Sequence, residues 1–424
     1  MTAGSRGTKV NSVYEKIVPK ITVSRASQLI PALTVAFLIN PILSLIATYF
    51  LIIFSGQESK TARSLTKFYC IAIAFFLGAV NAGKIPENDL VWYFRGYLDA
   101  GQQPFTEYIF NFGINGQGRE LFFPAINYAL YRFIGPNTDI YIIVITAFYY
   151  GLINISIFRM CDALRLPPLV AASAAFFFAA APNLFSLSAL LLRQNVAIAI
   201  VFFVIVERLF YSRTHYLLMV LAVLTHASSL FFILLCMAPG IGRRITWKTL
   251  PLFLALGFLI LNYQSVAALA AGIFSGDNVI SYALMRASSG TNYELPPLRV
   301  SQILFDIGMA LAMFLSIYFV RRAYKENHGL VAISNIILIT LLFVISNLDY
   351  SELSVRFNFY YLIFFPSVVS VVLSLFGMGL LKPTLILAQP ILYGVFIYGL
   401  HTSMWSYLAK TEVLYWSFFT YFMR

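Results

Sequence analysis

Charged residues are scarce in this chain: of its 424 residues, 11% are charged and 60% are hydrophobic. Water-soluble domains carry about 25% charged residues, and the interior of such a domain cannot enclose this much apolar surface. The composition therefore excludes a water-soluble globular fold. Segments of about ten residues with strict alternation of apolar and polar positions are also lacking, which argues against a membrane barrel.

Cysteine is rare as well. The three cysteines, Cys70, Cys161 and Cys236, lie in or beside apolar segments, so they form no disulfide framework and are expected to act as small buried hydrophobes. Paired Cys or His motifs with metal-ligand spacing are absent. A glycine-rich phosphate loop before a helix is absent too. We therefore predict no metal site, no cofactor and no use of ATP by this chain.

Long apolar runs are what the chain does contain. A membrane helix needs about 20 apolar residues, and its backbone groups bond within their own segment. We predict an all-α polytopic membrane protein with about ten to thirteen transmembrane helices. A single transmembrane domain is expected at 29–401, with outer loops at 83–118 and 276–298, between a basic flank at 1–28 and an aromatic tail at 402–424. The apolar runs lie near 29–54, 66–82, 138–160, 168–206, 216–239, 249–275, 300–320, 330–348, 355–377 and 384–401.

The net charge of +12 is distributed over short loops, which is the pattern of cytoplasmic loops in membrane proteins and not of a nucleic-acid-binding face. In the second half, loops 240–248 and 321–329 are basic and read as cytoplasmic. Acidic residues mark 276–298 and 347–354 as outer loops. The alternation of sides is consistent through this half of the chain.

The first half does not alternate so simply. Loops 55–67, 159–167 and 207–215 are all basic. If all three are cytoplasmic, 168–206 is a hairpin of two helices broken at Ala181-Pro182-Asn183. Segment 216–239 must then be a re-entrant or broken element with Thr225-His226 at its turn. The alternative is that one basic loop lies outside.

The orientation of the N-terminus is a similar conflict. Its basic residues favour the cytoplasm, and the absence of a cleavage site after a short apolar core argues against a signal peptide. A single crossing by 29–54 would instead place the N-terminus outside. A bend at Asn40-Pro41 is a further alternative.

Arg193 and Gln194 lie within an apolar run. A charge at membrane depth costs about 2.5–3.5 kcal/mol and usually faces a polar interior. The planar guanidinium is well suited to phosphate oxygens, so Arg193 is a candidate phosphate ligand. The alternative is that its side chain snorkels to the nearer interface.

His226-Ala227-Ser228-Ser229 is the second polar group at membrane depth. A histidine followed by two hydroxyl side chains at a suspected helix break is a candidate general base or phosphate site. The alternative is a histidine whose hydrogen bonds are satisfied within the core.

The outer segments supply further candidates. Acids beside aromatic rings in 83–118, such as Asp89 and Tyr93, suit sugar binding, although such a loop can also be an ordinary interfacial one. Glu120 is a candidate, or only a first-turn acid favoured by the helix dipole. Arg356 begins a span, and its alternative is an interfacial anchor. Arg286 in the second outer loop and Arg299 at its end are candidates to contact an anionic substrate from outside, and the equally good alternative is that both are only exposed loop residues. Asp306, in a span, is a carboxylate that can pair with an arginine, and its role is open.

The order of these motifs resembles the EpsG-like branch of the Wzy-type bacterial polysaccharide polymerases, over roughly residues 66–365. The motifs are Asp-x-x-x-Tyr at 89–93, Glu-Leu-Phe at 120–122 opening a helix that ends in Gly135, Leu-Arg-Gln at 192–194, His-Ala-Ser-Ser at 226–229 and Arg-x-x-x-Tyr at 356–360.

The resemblance implies a fold similar to the multi-helix, GT-C-like glycosyltransferases that use lipid-linked donors without a metal. It implies that oligosaccharide repeat units on polyprenyl diphosphate, as in O-antigen or exopolysaccharide synthesis, are joined at the outer face of the bacterial inner membrane. A chain-length regulator is a partner that it also implies, besides membrane lipid.

The same resemblance suggests roles for the candidates. Arg193 and Arg356 would stabilise the diphosphate leaving group with help from His226. The proton of the acceptor hydroxyl would go to Asp89 or Glu120, with His226 as the rival. Substrate contacts would come from Tyr93, Gln194, Ser228, Ser229, Arg286 and Arg299.

Three other functions compete with polymerisation. An O-antigen-type ligase usually has one long late outer loop, and 276–298 is short. A flippase or transporter predicts repeated halves, which the sequence lacks. A membrane acyltransferase would require a different motif around its histidine.

Overall fold

The computed structural model describes residues 23–55, 59–114, 120–245, 251, 263–273, 297–320, 322–349, 351–402 and 417. Within these ranges the chain is helical, as predicted. Seven helices are long and apolar enough to cross a membrane, by length and composition. Arg286, most of the second outer loop, most of apolar run 249–275 and most of both terminal flanks lie outside the described residues, so the total number of spans stays a prediction.

The helices are numbered here in chain order. They are α1 Val23–Ile39, α2 Pro41–Phe54, α3 Lys60–Ala82, α4 Asp89–Asp99, α5 Phe105–Tyr108, α6 Phe122–Ile134, α7 Thr138–Ala163, α8 Pro168–Ala179, α9 Pro182–Ser188, α10 Leu192–Tyr211, α11 Tyr216–Thr225, α12 Ser229–Met237, α13 Tyr263–Ile273, α14 Val300–Leu315, α15 Arg322–Lys325, α16 His328–Ser346, α17 Ser351–Leu362, α18 Phe365–Leu373 and α19 Met378–Thr402.

Helices α3 and α7 pack closely against each other in the core. A Cβ atom placed on Gly78 of α3 would lie 2.7 Å from the carbonyl oxygen of Ile143 on α7. The absence of a side chain at Gly78 therefore lets the two backbones approach, as small residues do between membrane helices. The buried Asn154 amide also donates to the Cys70 carbonyl oxygen at 3.0 Å. All three cysteines are free and buried, as predicted.

The chain breaks at Asn40 and folds back. Asn40 caps α2 by accepting from the backbone N–H of Leu43, and Pro41 cannot continue the hydrogen bonds of α1. The Ser44 hydroxyl donates to the Leu33 carbonyl oxygen at 2.8 Å, although a straight helix would separate residues eleven apart by about 16 Å along its axis. The bend at Asn40-Pro41 is thus confirmed, and it returns α2 to the side from which α1 comes.

The predicted break at Pro182 is also found, but the prediction of two helices in 168–206 is wrong. The short helix α9 begins at Pro182 and separates α8 from α10, which begins only at Leu192. Proline is favourable at the first position of a helix, where its missing N–H costs nothing. Arg193 therefore lies in the first turn of α10 and not in the middle of a span.

Helices α11 and α12 form a re-entrant hairpin with its break at His226. The Arg208 guanidinium at the end of α10 donates to Thr214, just before α11, and to the carbonyl oxygen of Cys236, near the end of α12. Both ends of the hairpin therefore lie at the same end of α10. The prediction of a re-entrant or broken element with its turn at Thr225-His226 is confirmed.

The basic loops meet at one end of the helices, called here the basic face. Arg63 pairs with Asp162, and Arg159 pairs with the buried Glu207. Hydrogen bonds also join the loops of the second half. The Arg244 guanidinium donates to the Lys325 carbonyl oxygen, and the Asn335 amide donates to the carbonyl oxygens of Ile241 and Arg243. Gly329, which packs against Leu209 and Phe210, links the two halves. The fold-back of α2 on α1 and the hairpin of α11 and α12 thus resolve the conflict between the basic loops of the first half. With these two reversals of the chain, all the basic loops can lie on the same side of the membrane.

Candidate functional site

An arginine–carboxylate pair lies at the end of the helices opposite the basic face. Nη1 of Arg193 is 2.9 Å from Oε2 of Glu120, and only 10% of the Glu120 side chain is exposed. Glu120 lies two residues before the start of α6 and is held there because the N–H of Leu121 donates to the Leu224 carbonyl oxygen of the hairpin. Arg193 adds its charge to the positive end of the α10 dipole, so this is a place that attracts anions.

Tyr93 of α4 closes one side of the pair. Its hydroxyl accepts a long hydrogen bond of 3.4 Å from Nε of Arg193, and the guanidinium lies 5.8 Å from the centroid of its ring. The ring packs edge-on against the buried Phe123 at 5.6 Å. Burial raises the pKa of the Tyr93 hydroxyl, and the charge of Arg193 opposes that rise. Tyr93 is therefore protonated at neutral pH.

Helix α4 is anchored so that Tyr93 faces the site. The Tyr97 hydroxyl donates to the Gly135 carbonyl oxygen, and its ring stacks on Tyr141 with centroids 4.1 Å apart. Gly135 has φ of +76°, a conformation that favours glycine. Asp89, at the start of α4, is exposed but near enough to Tyr93 to interact electrostatically with its hydroxyl.

The tip of the hairpin brings the predicted histidine to the same region. The Ser228 hydroxyl lies 2.6 Å from Nδ1 of His226 and 3.1 Å from the hydroxyl of Tyr360 on α17. The buried Ser229 hydroxyl lies 3.0 Å from the same Tyr360 hydroxyl. Glu120 and Arg356 are both near enough to this hydroxyl to interact with it electrostatically. The hairpin cluster and the arginine–carboxylate pair therefore form one site.

Helix α17 is fastened to α10 at this point. Gln194 donates from Nε2 to the Arg356 carbonyl oxygen at 2.8 Å. Gln194 is the neighbour of Arg193 in the sequence. This hydrogen bond therefore holds together the two helix segments that carry Arg193 and Arg356, the arginines predicted to act together. Both arginine residues are half-buried.

A sequence comparison decides the family of the chain. The profile of the EpsG family matches residues 66–417, a range that contains every described residue of the site. The chain belongs to the EpsG family. This is a family of Wzy-like, polymerase-type proteins, as the order of the motifs predicts. No curated protein and no solved structure matches the chain.

Most of the predicted residues converge in this EpsG-family chain. The structure brings together Tyr93, Glu120, Arg193, Gln194, His226, Ser228, Ser229 and Arg356, with Asp89 at the edge. Arg299 is exposed at the start of α14, where its N–H donates to Gln302, and its role stays a prediction. Asp306 bonds to the Asn358 amide at 2.7 Å and forms no ion pair with a described arginine.

Four polar residues of the EpsG-family site were not predicted. Tyr360 joins the hairpin to α17, although its place in the Arg-x-x-x-Tyr motif was a signal. Asn81 of α3 donates to the Ser188 hydroxyl at 2.8 Å, and Asn195 donates to the Ser188 carbonyl oxygen at 2.7 Å. This chain of amides fixes the residues before α10 and therefore the position of Arg193.

Two further features involve helix α3. Lys84 follows α3 and is buried, which lowers its pKa to about 8 against an opposing effect of Glu87. An apolar cavity of about 380 Å³ lies between α2, α3, α8 and α19 and is lined by none of the site residues. Among the described residues, no three His, Cys, Asp or Glu side chains are grouped closely enough to hold a metal ion.

Proposed function

We propose that this EpsG-family protein polymerises oligosaccharide repeat units carried on polyprenyl diphosphate, at the outer face of the bacterial inner membrane. The observation that carries the proposal is the site built from Arg193, Glu120, His226 and Arg356 at the end opposite the basic face. Basic loops face the cytoplasm in inner-membrane proteins. The site then faces the periplasm or exterior, where such repeat units are joined.

The leaving group of this reaction is a lipid diphosphate, which gains negative charge as the glycosidic bond breaks. Arg193 and Arg356 supply positive charge there without a metal ion, and they are held in place before the reaction by Glu120 and by the contact of Gln194 with α17. Preorganised positive groups in a site shielded from water stabilise such charge strongly. The acceptor sugar hydroxyl loses its proton to Asp89, Glu120 or His226, the three groups in the site that are able to take it.

The substrate also has an apolar part. The cavity between α2, α3, α8 and α19 is lined mainly by aliphatic and aromatic side chains, which suits a hydrocarbon chain. Phe396 of that lining packs on Phe185 of α9 at 5.1 Å, and α9 leads into the turn before Arg193. We assign this cavity to the polyprenyl chain of one substrate.

The proposal predicts the effect of removing either arginine. Arg193→Ala and Arg356→Ala should each lower the rate of polymerisation about 10²–10³-fold, the usual effect of removing one preorganised charge-stabilising group. The purified protein is incubated with a single lipid-linked repeat unit, and the product ladder is followed by electrophoresis. Arg63→Ala is the matched control, because Arg63 lies on the basic face with a half-exposed side chain.

Three outcomes of this assay would contradict parts of the proposal. Wild-type rates in both arginine variants would refute the diphosphate role. Product that forms only after a lipid-core acceptor is added would indicate a ligase. Activity that EDTA abolishes and Mg²⁺ restores would refute the metal-free mechanism.

A further inference from the structure

The apolar cavity between α2, α3, α8 and α19 opens toward the membrane. Ile46 and Phe50 of α2 line it and are also exposed at the surface, as is Pro390 of α19. This part of the surface faces lipid, because α2 and α19 are apolar helices. A hydrocarbon chain can therefore enter the cavity sideways from the bilayer, without crossing water.

The cavity runs along the helices toward the end that lies opposite the basic face. On α3 its lining extends from Tyr69 to Leu77, which is about 12 Å along the helix axis, and Leu77 is nearer the end opposite the basic face. On α19 the lining extends from Ile386 to Phe396, and Phe396 packs on Phe185 of α9. Leu77 and Phe396 therefore mark the outer end of the cavity, and Tyr69 and Ile386 mark its inner end.

The outer end of the cavity adjoins the turn before Arg193. Asn81, one helical turn after Leu77, donates to the Ser188 hydroxyl at 2.8 Å, and Asn195 of α10 donates to the Ser188 carbonyl oxygen at 2.7 Å. Ser188 therefore lies between the cavity and the first turn of α10, where Arg193 is. A lipid whose chain fills the cavity from its outer end thus presents its anionic head group to the Arg193 guanidinium.

The size of the cavity determines how much of a lipid it holds. A dry apolar cavity of about 150 Å³ binds one benzene ring of six carbons, so the cavity of about 380 Å³ accommodates about 15 carbons in the same proportion. Isoprene units have five carbons each. The cavity is therefore matched to about three isoprene units, and the rest of a longer polyprenyl chain stays in the bilayer.

Only one of the two substrates has its diphosphate at the reacting atoms. The oxygen of the acceptor hydroxyl forms the new bond to the donor sugar carbon, and its proton goes to the base of the site. The bond from this carbon to the donor diphosphate breaks, and its electron pair stays on the diphosphate oxygen. The acceptor's own diphosphate is separated from the reacting hydroxyl by at least one sugar ring. The diphosphate at Arg193 is therefore that of the donor.

We propose that the cavity holds the first three isoprene units of the donor lipid, with the diphosphate beside Arg193 and the chain directed toward Tyr69 and Ile386. The assignment to the donor rests on the proposed function. After each transfer the spent lipid diphosphate lies in the cavity, while the grown glycan is on the acceptor lipid. The two lipids must therefore exchange places before the next transfer.

The orientation of the lipid can be tested without any activity assay. The probe is an isoprenyl diphosphate of three units with a photoreactive diazirine at the end of its chain, and labelled residues of the folded protein are identified by mass spectrometry. The label should fall near Tyr69 and Ile386, and an excess of the unmodified diphosphate should suppress it. Labelling near Leu77 and Phe396, or even labelling of all lipid-facing helices, would overturn the proposal.

Narrowing the cavity tests which substrate it serves. The donor carries a methylated terminal hydroxyl, so that it cannot accept, and the acceptor is joined to its lipid by a carbon–phosphorus bond, so that it cannot donate. Ala180→Leu, at the outer end of the cavity, should raise KM for the donor about tenfold and leave KM for the acceptor unchanged. The matched control is Ala32→Leu on the exposed face of α1, outside the lining. If Ala180→Leu fails to fold, Ile386→Trp narrows the inner end and should act in the same way.

The two experiments separate this inference from the proposed function. Suppressible labelling near Tyr69 and Ile386 in a protein that joins no repeat units would support the lipid site and refute the proposed function. Polymerisation by a protein that takes up no label in the cavity would refute the lipid site alone. A raised KM for the acceptor, with that for the donor unchanged, would refute the assignment to the donor.

Discussion

At the scale of single residues, the roles of two glutamates that pair with arginines can be told apart. Glu120 and Glu207 each pair with an arginine, but they lie at opposite ends of the helices. Glu120→Gln should lower kcat about tenfold, because the neutral amide keeps only part of a charge-assisted hydrogen bond worth about 1.5–3 kcal/mol, which orients Arg193 toward the proposed diphosphate ligand. Polymerisation of lipid-linked repeat units, measured as initial rates, tests this.

Glu207→Gln is the matched control for this change. It breaks the buried pair with Arg159 on the basic face, so it should lower thermal stability in detergent while the folded fraction keeps its kcat. A loss of about 10²–10⁴-fold in Glu120→Gln would instead indicate that Glu120 is the general base. Equal losses of activity in both variants, per folded molecule, would show that the effect is only structural.

Arg193 and His226 could be predicted because a polar side chain within an apolar run costs free energy of insertion, so such a residue usually has a functional role. Tyr360 could not be singled out in the same way. Its hydroxyl has a partner only because the hairpin of α11 and α12 folds back against α17, and the chain has 26 tyrosines. Residue type was thus informative where charge is rare, and uninformative where aromatic residues are common.

At the scale of helices, the contact of α3 with α7 depends on Gly78. Gly78→Ala would place a methyl group 2.7 Å from the Ile143 carbonyl oxygen, which belongs to the backbone. We expect the two helices to separate slightly, at a cost of about 1–3 kcal/mol. The thermal unfolding midpoint of the purified protein in detergent should fall.

Gly151→Ala is the control within the same pair of helices. Its added methyl group would meet the Ala74 side chain at 3.7 Å, an ordinary contact distance, so little change in the midpoint is expected. Equal midpoints in the two variants would contradict the close approach of α3 and α7 at Gly78.

The breaks between helices could be predicted from Pro41, Pro182 and His226, because proline removes a backbone donor and polar residues at depth favour interruptions. The direction of the chain after each break could not. It depends on contacts such as those of Arg208 with Thr214 and Cys236, which join residues far apart in the sequence. Nor did the sequence pattern separate α9 from α10, since the run before Arg193 is apolar throughout.

At the scale of the whole molecule, the fold-back of α2 on α1 and the hairpin of α11 and α12 predict which loops share a side of the membrane. Single cysteines are introduced at the exposed Gln102, Arg213 and Arg243, and a maleimide that does not cross membranes is applied to intact spheroplasts. The native cysteines are all buried, so background labelling should be low. Gln102→Cys should react at once, because it lies between α4 and α5 in the loop that the proposed orientation places outside.

Arg213→Cys and Arg243→Cys flank the re-entrant hairpin and should react only after the membrane is opened, since both lie on the basic face. Labelling of these two positions from opposite sides would mean that 216–239 crosses the membrane completely, and His226 could then not lie at a re-entrant tip. Labelling of both from outside, with Gln102→Cys protected, would keep the hairpin but invert the protein and place the site in the cytoplasm. The pair of positions thus tests the fold, and Gln102→Cys tests the orientation on which the proposed function depends.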